Sequence, residues 1–161
     1  MGAVAGASPA RSAPVPASTQ RPAGHPAHPE YLRRFGPHCP PLVCTSGWPN
    51  SAVIQLLRAL AEQGATLRYH GDFDGEGIRI AAYVMDKTPA VPWRMAAGDY
   101  LAALAHTPHG PPLGRITKAP WDPVLTSSMA ERGMAVVEET VADSLLDDLV
   151  VAAGDLADAA V

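Results

Sequence analysis

Between residues 41 and 86 the chain changes hydrophobic period three times, and that alternation leaves few folds open. Pro41-Leu42-Val43-Cys44-Thr45 is a short apolar run that ends in Ser46-Gly47, the pattern of a buried strand. Over residues 51–63 the apolar positions Val53, Ile54, Leu56, Leu57 and Leu60 recur at helical spacing, and Gly64 stands where a C-cap is needed. Residues 65–70 read as a second strand, Gly75-Glu76-Gly77 as a turn, and residues 78–86 as a second helix with Ile80 and Val84 inward. Strand, helix, strand, helix in that order predicts parallel strands joined by right-handed crossovers. The expected class is therefore α/β, a small, mostly parallel sheet with flanking helices.

The remainder is less regular. Pro92-Trp93-Arg94-Met95 is expected as a short strand, residues 97–105 as a helix, and residues 106–119 as a Pro/Gly-rich loop. Asp122 is placed to cap a helix that runs to Arg132 and stops at Gly133. Residues 134–137 read as a last strand, and residues 138–150 as an amphipathic helix with Val141, Leu145, Leu146 and Leu149 on one face. At the other end, residues 1–29 are mostly Ala, Pro, Gly and Ser, with prolines at 9, 14, 16, 22, 26 and 29. Each proline removes a donor and fixes φ, so this stretch is expected as a disordered tail. Residues 30–161 are then the domain, opening with a short helix over 30–35 that Gly36-Pro37 stops.

Composition narrows the function. Of 161 residues, 47% are hydrophobic and 17% charged, enough apolar content for one domain with a modest core. A net charge of −4 argues against a free-standing electrostatic DNA binder, which carries a basic stripe. Two cysteines, Cys39 and Cys44, make no disulfide framework, and zinc is disfavoured because His38, Cys39 and Cys44 contain no C-x₂-C pair. No apolar run reaches membrane-spanning length, and residues 1–20 lack the basic and Leu-rich regions of a secretory signal. A cytoplasmic protein with no membrane partner is expected.

The chemistry concentrates in His70-Gly71-Asp72-Phe73-Asp74-Gly75-Glu76-Gly77. Asp72 and Asp74 follow a predicted parallel strand and, two residues apart in extended backbone, point the same way. A hard cation such as Mg²⁺ or Mn²⁺ binds through one or two such carboxylates and keeps its waters for a substrate phosphate. Ligands of open α/β sheets bind at the carboxyl ends of strands, where this loop lies. A calcium EF-hand loop is excluded, because with Asp72 as first ligand the required twelfth-position Glu falls on Tyr83. The competing structural reading makes Asp74 the N-cap of the next helix. Glu138, after the last predicted strand, is a candidate third metal ligand, with a helix N-terminus as its alternative. His70 is a candidate general acid or phosphate contact, with a half-buried strand-end histidine as an equal alternative. Arg79 and Arg94 are candidates to hold phosphate, with surface ion pairing as their alternative, as is Ser46 at the end of a strand, although Ser46 serves equally as an N-cap. Trp48, Trp93 and Trp121 are read as core or interface anchors rather than base-stacking platforms. No G-x-S-x-G elbow and no Walker A motif occurs.

Residues 72–80, Asp72-Phe73-Asp74-Gly75-Glu76-Gly77-Ile78-Arg79-Ile80, resemble the D-x-D-P-x-G-x-x-I signature of TOPRIM domains in type IIB topoisomerase A subunits. More closely, residues 41–149, about two thirds of the chain, resemble the uncharacterised TOPRIM-like C-terminal domain of bacterial proteins related to the D subunit of Wadjet anti-plasmid defence systems. The matching blocks, in order, are Pro41-Leu42-Val43-Cys44-Thr45-Ser46-Gly47, Tyr69-His70-Gly71-Asp72-Phe73-Asp74, Pro92-Trp93-Arg94-Met95, Asp99-Tyr100-Leu101, Trp121-Asp122-Pro123 and Glu138-Glu139.

The resemblance implies a Rossmann-like sheet and metal-dependent cleavage of DNA. It implies DNA and subunits of a condensin-like ATPase complex as partners, and leaves a homodimer open. On that basis Asp72 and Asp74 would hold the metal, Glu138 or Glu76 would assist, and His70 or Arg79 would contact the scissile phosphate. The chain departs from the pattern in two places. Relatives carry a Glu-Asn-Pro at the end of an earlier strand, whereas here Glu30 is the carboxylate in that region and no strand is visible upstream of Pro41. Relatives also have a long N-terminal portion. The domain is therefore expected to lack its first strand, and a non-catalytic DNA- or subunit-binding module is the alternative function.

Overall fold

The computed structural model describes residues 2–6, 42–107 and 109–158, with side chains described over 42–107 and 109–149. Among the described residues four strands and five helices follow one another as β1 (Gly2–Gly6), β2 (Leu42–Cys44), α1 (Ser51–Glu62), β3 (Leu67–Gly71), α2 (Gly75–Lys87), β4 (Val91–Pro92), α3 (Ala97–His106), α4 (Pro123–Arg132) and α5 (Glu138–Asp158). The strand order is β2-β1-β3-β4. β1 runs antiparallel to both neighbours, pairing Val4 with Val43 on one side and Val4 with Tyr69 on the other. β3 and β4 are parallel, with Arg68 opposite Val91. β2, β3 and β4 thus point the same way, as the alternating periods predict, and the protein is an α/β domain whose small sheet is parallel at β3–β4 and antiparallel on both sides of β1.

One strand was not expected. Gly2–Gly6 forms β1, although the first 29 residues read as a tail and the domain as short of a strand. The ladder depends on backbone N–H and C=O groups, and Gly-Ala-Val-Ala-Gly lies ahead of the first proline at position 9, so each of its residues keeps its donor. Residues 7–41, including the predicted helix over 30–35, Glu30, His38 and Cys39, lie outside the described residues. Two other strands are shorter than predicted. β4 ends at Pro92, and residues 134–137 make only isolated antiparallel bridges, Phe73 to Val136 and Pro112 to Met134. Proline explains the second case, because the neighbouring segment has prolines at 111 and 112 that cannot donate to a ladder.

The helices carry the start and stop signals of their sequence. Asn50, not Ser46, caps α1, accepting from the Val53 N–H at 3.0 Å. Asp122 caps α4 through Val124 and Leu125, and Gly133 ends it in the left-handed region at φ 64°. Leu57, Leu67, Tyr69, Phe73, Ile78, Val84, Tyr100, Leu125 and Val136 form the main core. A second cluster packs Leu145 and Leu149 of α5 against Trp93. Among the described residues no helix is long and apolar enough to cross a membrane.

Candidate functional site

The loop between β3 and α2 is held in place from three sides. Phe73 is buried and exchanges backbone hydrogen bonds with Val136, donating at 2.8 Å and accepting at 3.2 Å. Asp74, in extended conformation, is the N-cap of α2, and its Oδ1 accepts from the Gly77 N–H at 2.6 Å. Asp72 Oδ1 accepts from the Glu138 N–H at 2.7 Å, at the start of α5. Close backbone approach demands the two glycines of the turn. A Cβ on Gly75 would lie 1.7 Å from the Arg115 carbonyl oxygen, and one on Gly77 would lie 2.2 Å from that of Asp72.

The structure therefore brings Asp72 and Glu138 together and gives Asp74 the helix-capping role. The Phe73–Val136 bridge is the cause, since it delivers the first turn of α5 to the carboxyl end of β3. Glu138 is half-buried there. Burial, with the negative charges of Asp72 and Glu139 adding to it, pushes its carboxyl up to about 8. Tyr69, buried beneath, is also pushed up, first by burial and then by Glu138, Asp72 and Cys44, while a hydrogen bond with Thr45 at the end of β2 opposes the shift. Among the described residues no group of three or more His, Cys, Asp or Glu side chains is arranged to hold a metal ion. Cys44 is free and exposed.

Residues 29–149 match the family described as protein of unknown function C-terminus (DUF2399). The chain belongs to this family. No curated protein and no solved structure matches it.

Within this DUF2399 domain the other candidates are dispersed. His70 is buried at 1% exposure, and its Nδ1 lies 2.9 Å from the Trp93 carbonyl oxygen. A carbonyl only accepts, so Nδ1 carries the proton. Burial holds the imidazole below its ordinary pKa, and Nε2 has no hydrogen-bond partner. His70 lines a cavity of about 220 Å³ with Phe73, Arg94, Asp99, Thr140 and Ser144, rather than facing solvent beside the acidic loop. Arg94 is committed elsewhere. Its Nε and one terminal nitrogen each donate to Asp148 at 2.6 Å, with Asp99 at 3.9 Å, and Asp148 raises its pKa. Glu76 is exposed and accepts from Arg79 at 2.9 Å and from the indole N–H of Trp48. Arg79 lies over the Trp48 ring at 5.4 Å. Ser46 is exposed in the loop after β2 with φ 52°, beside Gly47 at φ 85°.

Trp48 is the most exposed of the three tryptophans. Trp93 is buried and Trp121 half-buried, each with its N–H bonded, to Asp148 and to the Met95 carbonyl oxygen. Trp48 is instead 46% exposed, beside the acidic loop. The available signal was position: Trp48 follows the carboxyl end of β2 just as Asp72 follows that of β3.

Proposed function

We propose that this domain is a TOPRIM-type, Mg²⁺-dependent nuclease module acting on DNA phosphodiesters, in the manner implied by its resemblance to the Wadjet-related branch of plasmid defence. The observation that carries the reading is the Asp72 side chain at the carboxyl end of β3 accepting from the Glu138 backbone N–H at 2.7 Å, beside a Glu138 carboxyl that burial, with the charge of Asp72 adding to it, pushes up to about 8. Burying one carboxylate beside another is costly unless a cation shares the site, and two carboxylates with water filling the remaining positions suit Mg²⁺. Asp72 and Glu138 fit that group; Asp74 offers it only the oxygen left over from capping α2. When bound, the cation would supply charge neutralisation at a phosphoryl oxygen and a bound water of lowered pKa. Asp72 and Glu138 would hold it, and the Phe73–Val136 bridge would fix their separation. Arg79, in the second turn of α2, is the cation that this reading assigns to a phosphate. Subunits of a condensin-like ATPase complex are the partners this reading implies.

A non-catalytic DNA- or subunit-binding module is the second reading. It is favoured by the use of Asp72 and Asp74 as hydrogen-bond acceptors at two helix starts and by the absence of a three-ligand group among the described residues. Calorimetric titration with Mg²⁺ and Mn²⁺ separates the two. The nuclease reading expects binding by the wild type that Asp72→Asn and Glu138→Gln each weaken at least tenfold. No binding by the folded wild type leaves the assembly module.

A further inference from the structure

We infer that Trp48 and the outer stripe of α2 form a stacking platform for unpaired bases of single-stranded DNA; the inference rests on the reading of this domain as one that acts on DNA. Arg79, Tyr83 and Lys87 stand four residues apart, so they share one face of α2 along about 12 Å of helix. Trp48 is laid between the first two. Its ring lies 5.4 Å from the Arg79 guanidinium and 5.4 Å, edge to face, from the Tyr83 ring. Lys87 lies 5.9 Å from Tyr83, and Arg58 Nε donates to the Lys87 carbonyl oxygen at 2.6 Å, adding a third cation at the far end. The stripe thus alternates cation, aromatic, aromatic, cation, with Glu76 paired to Arg79 and Asp86 2.7 Å from Lys87, so that three cations stand against two carboxylates.

An indole with nearly half its surface in water keeps a large flat apolar face open to a ligand. Here the ring is also held. Glu76 accepts from its N–H and from Arg79, so one carboxylate fixes both the aromatic and its flanking cation. A ring fixed before binding loses little freedom on binding. Flat faces between positive charges suit a polyanion with flat bases, and stacking of this kind tolerates any base sequence. A protein partner would be better served by a continuous apolar patch, which the charged residues of this stripe interrupt. Glu76 lies two residues beyond Asp74, so a strand on the platform runs beside the acidic loop.

The test is fluorescence anisotropy of a labelled short oligothymidylate at low salt with EDTA present, so that no metal contributes. The wild type is expected to bind. Trp48→Ala should weaken binding roughly tenfold, the scale of losing one stacking side chain, while Trp48→Phe retains most of it. An abasic oligomer of equal length should bind the wild type as weakly as the oligothymidylate binds Trp48→Ala. Lys87→Gln should lower the dependence of affinity on salt. No binding by the wild type, equal binding by folded Trp48→Ala, equal binding of the abasic oligomer, or a preference for duplex of the same length overturns the inference. Calorimetry with Mg²⁺ stands apart from these outcomes, so failure of the metal site and failure of the platform are read separately.

Discussion

Asp74 Oδ1 takes the Gly77 N–H at 2.6 Å, and that bond begins α2. A capping oxygen is worth about 1 kcal/mol, and Asn supplies one as well as Asp does. Asp74→Ala is therefore expected to lower the free energy of unfolding by about 1 kcal/mol in urea titration, and Asp74→Asn to leave it within error of the wild type. Equal losses in both variants would mean that the charge, not the cap, is what the fold uses. The sequence made the D-x-D spacing, its place after a strand and the candidacy of Glu138 legible, because strand period and turn glycines are local signals. It did not reveal that Asp72 would meet the backbone of Glu138, 66 residues away, since that contact depends on a long-range bridge with no local pattern. His70 is a similar case. Its place at a strand end left a phosphate contact and a half-buried histidine equally open, and packing against Trp93 and Phe73 buries it.

At the level of elements, α5 is tied to the sheet by a latch that the apolar stripe only half announces. Leu145 and Leu149 were readable as its inward face, and they pack on Trp93. The polar part was not readable: Asp148 accepts from the Trp93 indole N–H at 3.3 Å as well as from Arg94. The Arg94 hydrogen bonds, chiefly, hold the Asp148 carboxyl below its ordinary value. A depressed carboxylate pKa adds stability that is complete above the unfolded value and is lost as pH falls through the folded one. The latch should therefore hold at neutral pH and weaken below about pH 4, where carboxylates of ordinary pKa begin to protonate. Arg94 is half-exposed, so the pair contributes at most about 1 kcal/mol. Thermal unfolding of the wild type and Asp148→Asn should differ at pH 7 and converge on acidification. A difference that persists unchanged at pH 3 would assign the effect to packing. The boundary of α5 shows the same limit of sequence reading: the apolar stripe fades after Leu149, yet the helix continues to Asp158.

For the molecule as a whole, the decisive feature is the position of β1 between β2 and β3. Five residues of β1 pair with β3 and three with β2, so β2 reaches the rest of the sheet only through it. The alternation of strand and helix after residue 41 was enough to fix the class and the common direction of β2, β3 and β4. It could not reveal a reversed strand between them, because Gly-Ala-Val-Ala-Gly has no clear period and only one strong strand former, Val4. Its role comes from backbone hydrogen bonds, which any proline-free segment can make once neighbours are in place. Deleting residues 1–6 should then open an edge along β3 in the middle of the sheet. The expected result is a lower unfolding midpoint, faster hydrogen exchange at the amides of Leu67–Gly71 than at those of α4, and self-association on size exclusion through the opened edge. Because the loop bearing Asp72 leaves directly from β3, the cation binding proposed for Asp72 and Glu138 should weaken in the same variant. An unchanged midpoint with unchanged exchange in β3 would show that β3 and β4, braced by α2 and the Phe73–Val136 bridge, carry the acidic loop without β1.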